Sequence, residues 1–241
     1  MKKTIIGIMP RAYLIDERSQ LYINDVVRRL IIKNNCYPLF IMPPQDVDYA
    51  LTGSDEIKPI SIEERKFLYS QIDMCDGLIM PGGSRQFEFD SIAYQYALAK
   101  DIPILGICMG MQLMCNVDNS SENYRDVPIK NDSYINHCQI GVLEAHYIDI
   151  DKNSKLYDII WHDKMVVNSF HNYHIEQVTN LKVSARSKDG YIEAVEMPGK
   201  RFVIGTQWHP EILAFTDYNN NKLITEFIAS AKEVKYEEKA R

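Results

Sequence analysis

Apolar residues recur along the first half of the chain in two alternating registers. Short continuous runs, TIIGIM at 4–9, PLFIM at 38–42, GLIM within 76–83 and PILGI at 103–107, read as strands buried on both faces. Between them the spacing turns helical. Leu21, Val26, Val27, Leu30 and Ile31 predict a helix over 20–34, and further helices are expected at 63–73, at 88–100 and directly after Cys108 through MGMQLM. Residues 44–62 carry Pro, Gly, Ser and Asp with little periodicity and read as a loop or lid.

The second half changes character. A polar stretch covers 117–134, strand-like runs follow at 140–150, 164–168, 181–187, 191–197 and 201–206, and an amphipathic helix at 222–233 closes the pattern. Strands that alternate with helices, each strand a nearly continuous apolar run, predict an α/β fold with a mostly parallel sheet covered on both faces. The second half adds extra strands to it. With no linker or repeat, the expectation is one domain over 1–241.

Composition narrows the partners. The 241 residues are 46% hydrophobic and 25% charged, with a net charge of −6. That balance excludes a disordered chain and argues against nucleic-acid and anionic membrane surfaces, both of which call for a basic patch. No run approaches the ~20 apolar residues of a membrane span, and Pro10, Arg11, Asp16 and Glu17 interrupt the N-terminal run too early for a secretory signal. Five cysteines, an odd number without a CxxC pair, fit a reducing cytoplasm.

Three segments carry chemistry, each at a strand's carboxyl end, where ligands bind in such sheets. Gly106-Ile107-Cys108-Met109-Gly110 is the thiol form of a nucleophile elbow. A helix N-terminus and a nearby imidazolium favour a thiolate there, and the Met109 N–H is free to face an oxyanion. A buried core cysteine between packing glycines is the plain alternative. In Gln207-Trp208-His209-Pro210-Glu211, the proline holds His209 at a strand end, and Glu211 can fix the imidazole tautomer; the alternative is a surface turn. Pro81-Gly82-Gly83-Ser84 lets backbone N–H groups approach a ligand closely.

The segments DGLIMPGG, ILGICMGMQLM, VVNSFH and TQWHPE resemble the class I glutamine amidotransferase-like superfamily. They are most similar to its peptidase C26 branch, the γ-glutamyl hydrolases such as γ-glutamyl-γ-aminobutyrate hydrolase. The resemblance implies a flavodoxin-like sheet, Cys108 as nucleophile, His209 as base and Glu211 as its orienter. It also implies an oxyanion hole from Gly82, Gly83 and Met109, with Gln112, Asn168, Ser169, Phe170 and His171 around the glutamyl moiety. The implied reaction is cleavage of a small γ-glutamyl amide through a γ-glutamyl thioester, without a cofactor. Met109 stands where the branch carries arginine, and the segments at 84–90 and 117–126 depart from its pattern.

A glutaminase subunit serving a separate synthetase, and a silent binding protein of the same fold, are the competing readings. A homodimer suits a fold of this size. His171 and His174, three apart, lack a third ligand at useful spacing, so no metal is expected. His137, His146 and His162 read as structural or exposed, Glu144, Glu193 and Glu196 as solvated strand positions, and Cys75 and Cys115 as inert core thiols. Arg85, beside the glycine turn, could meet a substrate carboxylate or lie on the surface.

Overall fold

The computed structural model describes residues 3–53, 56–120 and 129–240. Its strands are β1 Ile5–Ile8, β2 Arg11–Ile15, β3 Arg18–Tyr22, β4 Tyr37–Phe40, β5 Gly77–Met80, β6 Ile104–Ile107, β7 Ile129–Lys130, β8 His146–Ile150, β9 Lys164–Val167, β10 Tyr173–His174, β11 Lys182–Ser187, β12 Ile192–Glu196 and β13 Val203–Thr206. The helices are α1 Asp25–Lys33, α2 Ile62–Ile72, α3 Glu88–Ala99, α4 Met109–Ser120, α5 Lys155–Ile160, α6 Pro210–Leu213 and α7 Tyr218–Ala240.

One nine-stranded sheet, in the order β4-β1-β5-β6-β13-β12-β11-β8-β9, organises the molecule. β4, β1, β5, β6 and β13 run parallel, and the second-half strands continue the sheet in antiparallel pairs. Helices cover both faces. Because side chains alternate across a strand, the continuous apolar runs feed two cores at once. Ile6, Ile8, Ile79, Leu105, Ile107 and Ile204 pack with α1, α5 and α7, whereas Leu78, Met80, Ile104 and Val203 pack with α2, α3 and α4.

Local signals explain several boundaries. Ser61 and Glu64 form a reciprocal capping box that starts α2. Asn24 caps α1 by accepting from the Val26 N–H at 3.1 Å. That cap corrects the helix expected over 20–34, because residues 18–22 form β3 instead. β2 and β3 make a hairpin with Ile15 opposite Arg18, turned by Asp16 and Glu17, both at positive φ (47° and 60°). An Asp-Glu turn is a weak hairpin signal, so the pattern looked helical. The run at 140–150 is likewise strand only from His146, and Ile140 and Leu143 lie exposed in the preceding turn. Part of the polar stretch at 117–134, residues 121–128, lies outside the described residues.

Two strand glutamates depart from the solvated reading. β12 lies inside the sheet between β11 and β13, so its polar residues are buried with it: Glu193 is 0% and Glu196 7% exposed. Glu196 accepts the Lys155 and Leu156 N–H groups at the start of α5 (3.0 and 3.2 Å). Glu144 is exposed but precedes β8. All five cysteines are free, and burial pushes the Cys75 thiol up to about 12 and Cys115 higher still. Among the described residues no helix is long and apolar enough to cross a membrane.

Candidate active site

Three adjacent parallel strands deliver the chemistry-bearing segments to one edge of the sheet. Met80 on β5 pairs with Gly106 on β6, and Thr206 on β13 pairs with Ile107. Cys108 follows β6 directly, His209 comes three residues after β13, and Gly82 two after β5. The Cys108 N–H donates to the Thr206 carbonyl at 2.7 Å, tying the elbow to the strand that leads to His209.

Cys108 itself has φ of +50°, a conformation that strains a residue carrying a Cβ. It lifts the side chain out of the sheet at the start of α4. Glycine at 110 makes this geometry attainable, since a Cβ there would lie 1.9 Å from the Met80 carbonyl oxygen. Across the gap, a Cβ on Gly82 would come within 2.8 Å of His209 Cε1 and 3.4 Å of Cys108 Cβ. The glycine turn, the thiol and the imidazole therefore share one small space.

His209 Nδ1 and Glu211 Oε1 are 2.8 Å apart, with Glu211 4% exposed. Burial acts to lower the His209 pKa, but the charge of Glu211 and the interaction with Cys108 outweigh it and hold the imidazole well above its ordinary value. The main chain of His209 is clamped by Asn168, whose Oδ1 accepts from the His209 N–H (2.8 Å) and whose Nδ2 donates to its carbonyl (3.0 Å). Trp208 is fully buried, its Nε1 donating to Asn220 at 2.9 Å. Such an array can place a thiol beside a proton acceptor whose tautomer is set by a carboxylate.

The sequence-predicted residues divide into two groups. Cys108, His209, Glu211, Gly82, Gly83 and Phe170 line one cleft of about 510 Å³. Met109 begins α4, and its side chain lies against Gly83. The remainder stand behind the wall. Gln112 donates to the Tyr173 carbonyl and the Gln207 Oε1, both at 3.1 Å. Ser169 donates to the His137 carbonyl at 2.8 Å, and His171 is buried beside Glu193. Arg85 is occupied elsewhere, donating to the carbonyls of Tyr49, Ala50 and Thr52.

Arg11 escaped the reading of the motifs. It is 4% exposed, pairs with the buried Asp90 at 2.9 Å, and donates to the carbonyls of Pro81 (2.6 and 3.1 Å) and Gly82 (3.2 Å). In a trans peptide the C=O and the following N–H point opposite ways. Turning the Pro81 and Gly82 carbonyls to Arg11 therefore turns the N–H groups of Gly82 and Gly83 away from it. The only sequence signal was a lone cation at the end of a buried strand. The β2–β3 hairpin, also unforeseen, adds Tyr13 and Tyr22 to the cleft, their rings 5.0 Å apart.

Fold and site together define a class I glutamine amidotransferase-like protein. Over residues 5–211 the chain matches the family described as peptidase C26. A glutamine amidotransferase-like protein of Lactococcus lactis, YvdE, is 32% identical over 244 residues, spanning 92% of this chain and 97% of that relative. CTP synthase of Borreliella burgdorferi is 27% identical over 192 residues, which cover 65% of this chain and 35% of the synthase. Among solved structures, the glutaminase domain of a CTP synthase from Trypanosoma brucei, with bound acivicin, superposes with a TM-score of 0.60. It is 20% identical and is matched over 95% of this chain and 94% of that one. A glutamine amidotransferase from Thermotoga maritima gives 0.55 at 13% identity, over 100% and 87% of the two chains. The chain belongs to the peptidase C26 family, and that kinship supports an enzyme of the amidohydrolase or glutaminase type.

Proposed function

We propose that the protein hydrolyses the γ-glutamyl amide bond of a small compound through Cys108, His209 and Glu211. The observation that carries this reading is the positive-φ Cys108 facing the Glu211-oriented His209 across the glycine turn. The Cys108 thiolate attacks the γ-carbonyl carbon, and the carbonyl electrons pass to an oxyanion held by the N–H groups of Met109 and the Gly82-Gly83 turn. Protonated His209 gives its proton to the leaving nitrogen, the C–N bond breaks, and a γ-glutamyl thioester remains. His209 then takes a proton from water, whose oxygen attacks the thioester; glutamate leaves and the thiolate is restored.

The cleft volume suits a small ligand. Tyr13, Tyr22, Ile140, Leu143 and Phe170 give it an aromatic and apolar wall, which supports an apolar amine as the leaving group. A glutaminase role beside a synthetase is the second reading, favoured by the similarity to CTP synthases. Glutamate release from γ-glutamyl-p-nitroanilide, other γ-glutamyl amides and L-glutamine tests both, with Cys108→Ala as control. Release from an amide, abolished in Cys108→Ala, is the expected result. Release from glutamine alone would favour the synthetase reading, and turnover that survives in Cys108→Ala would sink the thioester mechanism.

A further inference from the structure

Behind the Phe170 wall, three imidazoles and a carboxylate converge from distant parts of the chain. His137 lies in the loop after β7, His146 opens β8, His171 follows the Asn168 clamp, and Glu193 sits on β12. All four are buried, at 2%, 8%, 3% and 0% exposure, and one donor atom from each lies within 4.8 Å of the others. Glu193 Oε1 is 3.4 Å from His137 Nδ1, 3.5 Å from His146 Nε2 and 3.7 Å from His171 Nε2.

Hydrogen bonds on the outer side of each ring decide which nitrogen carries the proton. His146 Nδ1 faces the Tyr147 carbonyl at 3.2 Å, His171 Nδ1 the Tyr173 carbonyl at 2.9 Å, and His137 Nε2 the Asp189 carboxylate at 2.8 Å. Carbonyls and carboxylates only accept, so each of these nitrogens must donate. The opposite nitrogen of a neutral ring is then a bare lone pair, and all three lone pairs point at Glu193. Asp189 is itself fixed by the hydroxyls of Ser133 and Ser187.

With the rings neutral, as metal binding requires, the result is a buried set of acceptors facing one another without a donor. His146 Nε2, His171 Nε2 and both Glu193 oxygens make no hydrogen bond among the described residues. The Ser169 hydroxyl near His137 Nδ1 (3.4 Å) donates instead to the His137 carbonyl. Groups buried this way each cost on the order of 1–3 kcal/mol unless something supplies positive charge.

We propose that His137, His146, His171 and Glu193 form a binding site for one divalent transition-metal ion, zinc by the chemistry of its donors. Three neutral imidazoles and a carboxylate suit zinc, and four protein ligands close the tetrahedral shell of a structural site. Tetrahedral zinc with bonds of about 2.0–2.1 Å sets its donors about 3.3–3.4 Å apart. The Glu193 distances of 3.4–3.7 Å are close to that edge, and the wider pairs, up to 4.8 Å, draw in on binding. The outer partners Asp189, Tyr147 and Tyr173 supply the orienting hydrogen bonds that metal-bound imidazoles require.

Such an ion would pin the segment that shapes the catalytic cleft. His171 is one residue from Phe170, whose ring centroid lies 5.3 Å from that of His209, and three from Asn168, which clamps the His209 backbone. The metal touches no reacting atom in this reading and acts as a positioning element.

The test is metal content of the full chain without a histidine tag, purified from medium with trace zinc, iron, manganese, cobalt and nickel. Elemental analysis after dialysis is expected to give about one equivalent of zinc per chain, falling below about a tenth in Glu193→Gln and His146→Ala. His174→Ala and His162→Ala, outside the cluster, should keep it. Chelation of the wild type should lower its Tm, zinc should restore it, and cobalt loaded into the stripped protein should show tetrahedral d–d absorption. One equivalent of another divalent metal, lost in the same two variants, supports the site and corrects its occupant. A folded wild type that holds no metal and takes up no more zinc on titration than Glu193→Gln overturns the proposal, leaving the cluster held by protons. None of these readouts measures hydrolysis, so they stand whether or not the γ-glutamyl reading does.

Discussion

Replacing Arg11 by methionine separates two things that its guanidinium does. It neutralises Asp90, and it holds the carbonyls of Pro81 and Gly82 so that the next N–H groups face away. With Arg11 4% and Asp90 1% exposed, removal of the cation leaves an uncompensated carboxylate in the core, with the Phe87 N–H (3.1 Å) as its remaining partner. Breaking a buried pair in this way costs about 3–5 kcal/mol, a large share of the roughly 5–15 kcal/mol that stabilises a folded chain. For a chain of this length that is a Tm loss of about 6–20 °C. Neutralising both partners in Arg11→Met/Asp90→Asn removes the stranded charge and should return most of the Tm. It does not return the hydrogen bonds to the turn. The double variant should therefore stay low in kcat by about 10²–10³-fold, the cost of losing one oxyanion donor, with KM less affected. Calorimetry and glutamate release from γ-glutamyl-p-nitroanilide measure the two quantities on the same samples. Recovery of both Tm and kcat in the double variant would refute the positioning role.

Three further outcomes follow from contacts elsewhere. Gly110→Ala would set a Cβ 1.9 Å from the Met80 carbonyl oxygen, a backbone clash; a loss at or above the usual overpacking cost of about 1–3 kcal/mol is expected in urea denaturation, and a near-neutral result would contradict the geometry. In Glu211→Gln the charge that raises the His209 pKa is gone. A raised folded-state pKa stabilises fully below the unfolded value and is lost as pH rises through the folded one, so the deficit of Glu211→Gln should be largest below about pH 6.5 and shrink as the pH climbs through the raised folded-state pKa of His209; a deficit independent of pH counts against the linkage. Tyr94→Phe removes a hydroxyl buried without a hydrogen bond among the described residues, and thermal denaturation should show gained stability of up to about 1–3 kcal/mol rather than a loss.

What the sequence determined by itself was local. Continuous apolar runs placed β1, β5, β6 and β13, since a strand buried on both faces needs apolar residues at every position. The glycines around Cys108 and the proline after His209 marked strained turns at strand ends, because few residue types tolerate such backbones. Tertiary structure alone decided what a charged or polar side chain meets. Arg11 and Asp90 are 79 positions apart, and nothing near either announces the other. Glu193 reads as an ordinary strand carboxylate until β11 and β13 flank it and three histidines close over it. His171 and His174 looked like a pair by spacing. The fold instead sends His171 to Glu193 and stacks His174 on Tyr191, ring centroids 3.7 Å apart. Desolvation and pairing depend on distance in space, which chain order does not record; backbone preference depends on neighbours in sequence, which it does.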